Sequence, residues 1–175
     1  AEVGRAAESL ALFDGAAEAY ARAGDRRREA IALVNGAAVL LRLGRAAEAL
    51  ERFARAIELS LRIGNVSTVA VALQNRAALH RALGQWDRSR ADLDEAAPHA
   101  AKLQRVRLDA ALAVERAYLA LATGAPAGEL AARALDLARR SRSPALLASG
   151  LAVALRARPG DPSLVAEEAD AAREG

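Results

Sequence analysis

The two histidines, His80 and His99, are the first candidates for acid, base or metal chemistry, and nothing around them supports it. They lack the HExxH spacing that sets two imidazoles and a carboxylate on one helix face. The chain has no cysteine, which removes thiolate ligands, a cysteine nucleophile and disulfides together. No GxxxxGK or GxGxxG loop is present to cradle a phosphate. The acidic run "DLDEA" at 92–96 reads as the solvated face of a helix, and "SRSP" at 141–144 as a helix break with its caps. The sequence therefore predicts no catalytic residue, no metal and no cofactor. The side chains suited to a task are Asn35 and Asn75, because a carboxamide donates to and accepts from a peptide backbone at once. The competing reading is that each Asn bonds a neighbouring helix and orders the packing.

The elements that carry these amides repeat. Residues 3–25 match 43–65 at 11 of 23 positions, and eight of those matches, Gly4, Arg5, Glu8, Leu10, Phe13, Glu18, Arg22 and Gly24, are not alanine. Residues 30–44 match 70–84 at 8 of 15, pairing Asn35 with Asn75 and Leu43-Gly44 with Leu83-Gly84. Gly124 continues the period of 40, and Gly160 follows 36 residues later, which leaves the third unit slightly short. A period in this range marks a solenoid, and each unit holds two amphipathic helical stretches with a glycine after each of the first ones. The expected units are a lone second helix over 1–25, then 26–65, 66–104, 105–142 and 143–175. Small residues are required where such helices cross closely, and Ala37, Ala56, Ala77, Ala96 and Ala117 are the expected crossing points. Pro98 lies inside a second helix and should kink or end it near Ala97.

In Leu33, Asn35, Ala37, Gly44, Ala49, Phe53 and Ala56, echoed by Leu73, Asn75, Ala77, Gly84, Ser89, Leu93 and Ala96, the units resemble the tetratricopeptide repeats. The 40-residue length is similar to the variants in kinesin light chains, bacterial peptide-sensing regulators, STAND-type regulators and CHAT-associated proteins. The resemblance implies an all-α chain forming a right-handed α-solenoid of about four stacked antiparallel hairpins, whose first helices line a concave protein- or peptide-binding groove. The family's slots, carried over, fall on Ile31, Val34, Asn35, Ala38, Leu41 and Arg42, then Val71, Gln74, Asn75, Ala78, Arg81 and Ala82, then Ala111, Val114, Glu115, Tyr118 and Ala122. Of these, Val34, Asn35, Arg42, Gln74, Asn75, Arg81, Glu115 and Tyr118 are the expected partner contacts. Glu115 stands where the earlier units have Asn, which implies attraction to a basic group or to Arg81. Ile31, Val71 and Ala111 occupy the slots of the clamp that would hold a terminal carboxylate, so a chaperone-tail receptor is not expected. Trp86 is expected to pack one hairpin on the next, whereas Arg76 and Arg116 call for acids across helices.

Hydrophobic residues make up 53% of the chain and aromatics only 3%, so its helices must pack through Ala, Leu, Val and Ile. Net charge is only +3, and 24 of the 25 cations are Arg, a bias that composition explains as well as phosphate binding does. The basic runs "DRRRE" at 25–29 and "ARRSRS" at 138–143 lack interleaved aromatics, which argues against nucleic acid. Apolar runs such as "AAVLL" at 37–41 are too short to span a membrane, and a cytoplasmic setting is expected. A sequence without methionine that opens on a lone second helix is expected to be a piece of a longer chain, a recognition or sensor part of a bacterial regulatory protein. Its partner is then a protein or peptide, or another domain of the same chain. The alternative is a structural module that associates with itself.

Overall fold

The computed structural model describes residues 2–174 and is all-helical across them. In chain order the helices are α1 (Glu2–Arg22), α2 (Arg26–Arg42), α3 (Ala46–Arg62), α4 (Val66–Ala82), α5 (Trp86–Leu103), α6 (Val106–Ala122), α7 (Gly128–Ser141), α8 (Pro144–Ala157) and α9 (Pro162–Glu174). Every helix packs on the next, and α2, α4, α6 and α8 also touch one another in series. Among the described residues the odd-numbered helices stand further apart and meet through long side chains, as where Arg52 of α3 reaches Asp14 of α1 and Arg139 of α7 reaches Glu167 of α9. The even row is therefore the closer-spaced side of the stack. No helix among the described residues is long and apolar enough to cross a membrane.

The turns show why the period holds. After α2 the chain places Gly44 at φ 72°, and the amide of Arg45 donates to the Leu40 carbonyl at 2.9 Å, closing the helix end as a left-handed cap does. Asp25, Asn65, Gln85 and Ala125 donate in the same way after Gly24, Gly64, Gly84 and Gly124, at 2.8 to 2.9 Å. The two later turns between hairpins keep the left-handed residue without the glycine: Gln104 lies at φ 48° and Arg142 at φ 52°. Neither is followed by the matching amide bond. A side chain in that region crowds its own carbonyl. Gln104→Gly is accordingly expected to raise the stability by about 1 kcal/mol. A shifted urea midpoint at constant slope would report it, and an unmoved midpoint would mean that the turn carries no such strain.

The five alanines expected at crossing points, Ala37, Ala56, Ala77, Ala96 and Ala117, are all 0% exposed. Around them the large residues Phe53, Leu40, Leu73 and Leu93 fill a core that runs from Leu10 to Leu119, and smaller clusters continue it through α7, α8 and α9. Helices α7 and α8 approach closely at Gly150, where an added Cβ would stand 2.9 Å from the Ala138 Cβ and 3.3 Å from the Leu135 Cα. The apolar face of α1 is only partly covered: Leu10 is buried, Phe13 half-buried and Leu12 75% exposed.

Of the two outcomes expected at Pro98, a kink or an end, the end is ruled out, since α5 runs on to Leu103. Pro98 is exposed, so the carbonyl one turn back that loses its amide partner lies on the solvent side, where water replaces the bond. Trp86, expected in the core, lies outside the buried clusters; it opens α5 with 37% of its surface exposed.

Candidate partner-binding face

Each even-numbered helix is packed by its hairpin partner, by the odd-numbered helix before it and by its even-numbered neighbours, leaving one open stripe. On α2 that stripe is Arg27, Ile31, Asn35, Ala38 and Arg42, all exposed and spaced by three or four residues. Ser67, Val71, Gln74, Asn75, Ala78 and Arg81 continue it on α4, half-buried. On α6 the stripe passes through Arg107, Ala111, Glu115, Tyr118 and Ala122, and on α8 through Ala148, Ser149, Ala152 and Arg156.

Side-chain contacts join these stripes into one face. Arg81 of α4 donates from Nε to Glu115 Oε2 of α6 at 2.9 Å, and its guanidinium lies over the Tyr118 ring, 4.8 Å from the centroid. The Tyr118 hydroxyl reaches the Ser149 carbonyl of α8 at 3.5 Å. Expected contacts Arg81, Glu115 and Tyr118 thus form one cluster, and the attraction of Glu115 to Arg81 is realised as an ion pair. Asn35, Gln74 and Asn75 form no side-chain hydrogen bond to the protein among the described residues, and none of their amides is sealed from solvent. Their donors and acceptors are left to water on this face. Arg42 is exposed at the end of the α2 stripe.

Val34 requires correction. It is 7% exposed and belongs to the core, as does Val114 at 3%. One residue turns a helix by about 100°, so the stripe through Asn35 carries Val34 round into the packed side.

Behind the face lies a layer of charged pairs whose register follows the repeat. Arg76 of α4 holds Asp92 of α5 by two bonds, Nη2 to Oδ1 at 2.6 Å and Nε to Oδ2 at 2.8 Å. The His80 Nε2 stands 3.8 Å from the same carboxylate, and its Nδ1 is 2.7 Å from Gln85 Oε1. Asp92 is only 5% exposed, so "DLDEA" is not wholly a solvated face; its first carboxylate faces inward because an arginine waits there. Forty residues on, Arg116 reaches back to Asp94 at 3.1 Å and to the Leu93 carbonyl at 3.2 Å. Forty residues earlier the slot is Gly36, and the space holds Arg52 of α3, which pairs with Asp14 of α1. Arg76 and Arg116, the cations that called for acids across helices, are thereby accounted for. The pattern was missed because its sign reverses between units.

Glu29, at the start of α2, is the most buried acid of the stack, its side chain 2% exposed. Burial raises its proton affinity, but hydrogen bonds from Arg26 at 2.7 Å and Arg55 at 3.0 Å outweigh that, and its pKa lies below the ordinary glutamate value. A lowered folded pKa stabilises the protein above the unfolded value, and the contribution is lost as pH falls through the folded one. Stability should therefore drop more steeply below about pH 4 in the natural chain than in Glu29→Gln. Melting curves whose pH dependence is the same for both would remove Glu29 from the acid transition.

Among the described residues no group of three or more His, Cys, Asp or Glu is arranged to hold a metal ion. The sequence matches no protein-family model, and no curated protein matches it significantly.

Proposed function

We propose that the chain is a non-catalytic scaffold that holds a protein or peptide on the face of α2, α4, α6 and α8, within a right-handed α-solenoid of tetratricopeptide type. The observation that carries the reading is the row of carboxamides: Asn35, Gln74 and Asn75 sit on adjoining helices, open to solvent and without an internal hydrogen-bond partner. Such groups take the alternating donors and acceptors of an extended backbone at little cost in the empty state. Helices of 17 residues repeated every 40, with the even row in mutual contact, fit a groove on that side. The role in the cell would be recognition, as the sensing part of a larger bacterial regulatory protein in the cytoplasm, whose ligand alters the pitch of the stack and so acts on a neighbouring domain.

Affinity capture with the natural chain and with Asn35→Ala/Asn75→Ala/Tyr118→Ala tests the site. A partner held by the first, lost by the second, and protecting α2 and α4 from hydrogen exchange supports the groove. Retention by both would move binding to the odd-numbered helices or the ends. Self-association is the second reading, favoured by Leu12, 75% exposed on α1; a mass in light scattering that rises with concentration and falls in Leu12→Glu would establish it instead.

A further inference from the structure

We infer that the occupant of this groove is an acidic peptide segment, an inference that rests on the even-numbered helices being the binding face. Charge is segregated between the two rows of helices. α2, α4, α6 and α8 carry nine arginines against three carboxylates, a net +6, while the five odd-numbered helices carry twelve cations against seventeen carboxylates, a net −5. The chain's overall +3 conceals this division. Two of the three even-row acids are already engaged, Glu29 by Arg26 and Arg55 and Glu115 by Arg81. The third, Asp109, lies off the open stripe of α6.

The cations of the open stripes are of a different kind. Arg27, Arg42, Arg107 and Arg156 are exposed and form no ion pair among the described residues, although carboxylates abound on the helices behind them. Arg27 and Arg107 lie at the N-terminal rim of the face, Arg42 and Arg156 at the C-terminal rim. At the first rim a cleft of about 650 Å³ opens between Asp25, Arg26, Arg27, Asn65, Ser67 and Arg105, with Arg105 resting on the Ser67 hydroxyl at 3.2 Å, Arg26 turned to Glu29 and Asp25 held by Arg28. Its cations outnumber its one acid and raise the local positive potential, and the guanidinium forks of Arg27 and Arg105 can each donate two bonds to a carboxylate. Between the rims the floor on α2 and α4 is uncharged at Ile31, Asn35, Ala38, Val71 and Asn75, and on α6 the one floor acid, Glu115, is neutralised by Arg81 at 2.9 Å. The complement is a chain whose acids reach the rims while its backbone lies on the amides. From Arg27 to Arg42 is about 22 Å along the helix, which an extended segment of about seven residues covers.

Nucleic acid would meet the same charge but not the same floor. Tyr118 is the single aromatic of these stripes, and Arg81 covers its ring at 4.8 Å, which leaves no platform for stacking bases.

Fluorescence anisotropy with four probes tests the inference: a short extended peptide bearing glutamates, its glutamine and lysine counterparts, and oligothymidylate. The glutamate peptide should bind at least about tenfold more tightly than the glutamine one, an advantage that shrinks as salt rises. The combined Arg27→Gln/Arg42→Gln/Arg107→Gln/Arg156→Gln variant, with an unchanged melting temperature, should abolish that advantage. Equal binding of the glutamate and glutamine peptides, both lost in Asn35→Ala/Asn75→Ala, would overturn acid selectivity and leave the face standing. Failure to bind any peptide, or binding that ignores the Asn substitutions, would overturn the face and this inference with it. Tighter binding of oligothymidylate would replace the peptide by nucleic acid. A concentration-dependent mass abolished in the Arg variant would make the occupant the acidic outer row of a second copy.

Discussion

Arg76→Met is expected to cost about 3–5 kcal/mol at neutral pH, because it strands the buried carboxylate of Asp92. Asp92 is 7% exposed at its side chain, and Arg76 supplies both of its short hydrogen bonds. Methionine fills much of the arginine's volume, so the loss reports charge more than cavity. Arg76→Met/Asp92→Leu removes both charges and should regain most of the loss, since a well-packed apolar pair often equals a buried ionic one. Urea titrations of the two variants decide the matter. A single variant within about 1 kcal/mol of the natural chain, or a double variant no better than the single, would show that water already solvates the pair.

That pair also shows where reading the sequence succeeds and where it stops. The 40-residue echo locates the hairpins well because glycine at Gly44, Gly64 and Gly84 marks a backbone requirement, and Ala37, Ala56 and Ala77 mark a steric one. Both requirements recur wherever the helices cross or turn. The ionic layer recurs too, but its chemistry is carried by whichever helix has room: Arg76 on the first helix of one hairpin, Arg52 on the second helix of the hairpin before, beside Gly36. Identity matching cannot see a conserved position filled by opposite charges. Gln104 and Arg142 escaped notice for a related reason, as the left-handed turn persists after its glycine is gone. Val34 was misplaced by one residue, the distance between the open stripe and the core on a helix packed on three sides. The open stripe of the even-numbered helices was legible where side-chain chemistry and spacing agreed, at Asn35, Asn75, Arg81, Glu115 and Tyr118. The rims were not, because Arg27, Arg107 and Arg156 acquire meaning only when four helices are brought alongside one another.

Phe53→Ala should be among the most damaging core substitutions, with an expected loss of about 3–5 kcal/mol. Phe53 is 0% exposed on α3, whereas Phe13, forty residues earlier on α1, is half-buried at an end of the stack. Equal side chains in equal register thus face unequal surroundings, and Phe13→Ala should cost about half as much, since its site is partly wetted already and little cavity remains. In a stack each hairpin is held only by its neighbours, so the damage should stay local: amides of α2, α3 and α4 should lose hydrogen-exchange protection while those of α7 and α8 keep theirs. Because α3 packs behind both α2 and α4, it also sets the distance between Asn35 and Asn75. A ligand spanning those two amides should therefore bind Phe53→Ala more weakly than Phe13→Ala even where both variants remain folded. Equal stability losses, or a uniform loss of protection from α1 to α9, would mean that the chain unfolds as one cooperative body and that the spacing of its inner face is not set hairpin by hairpin.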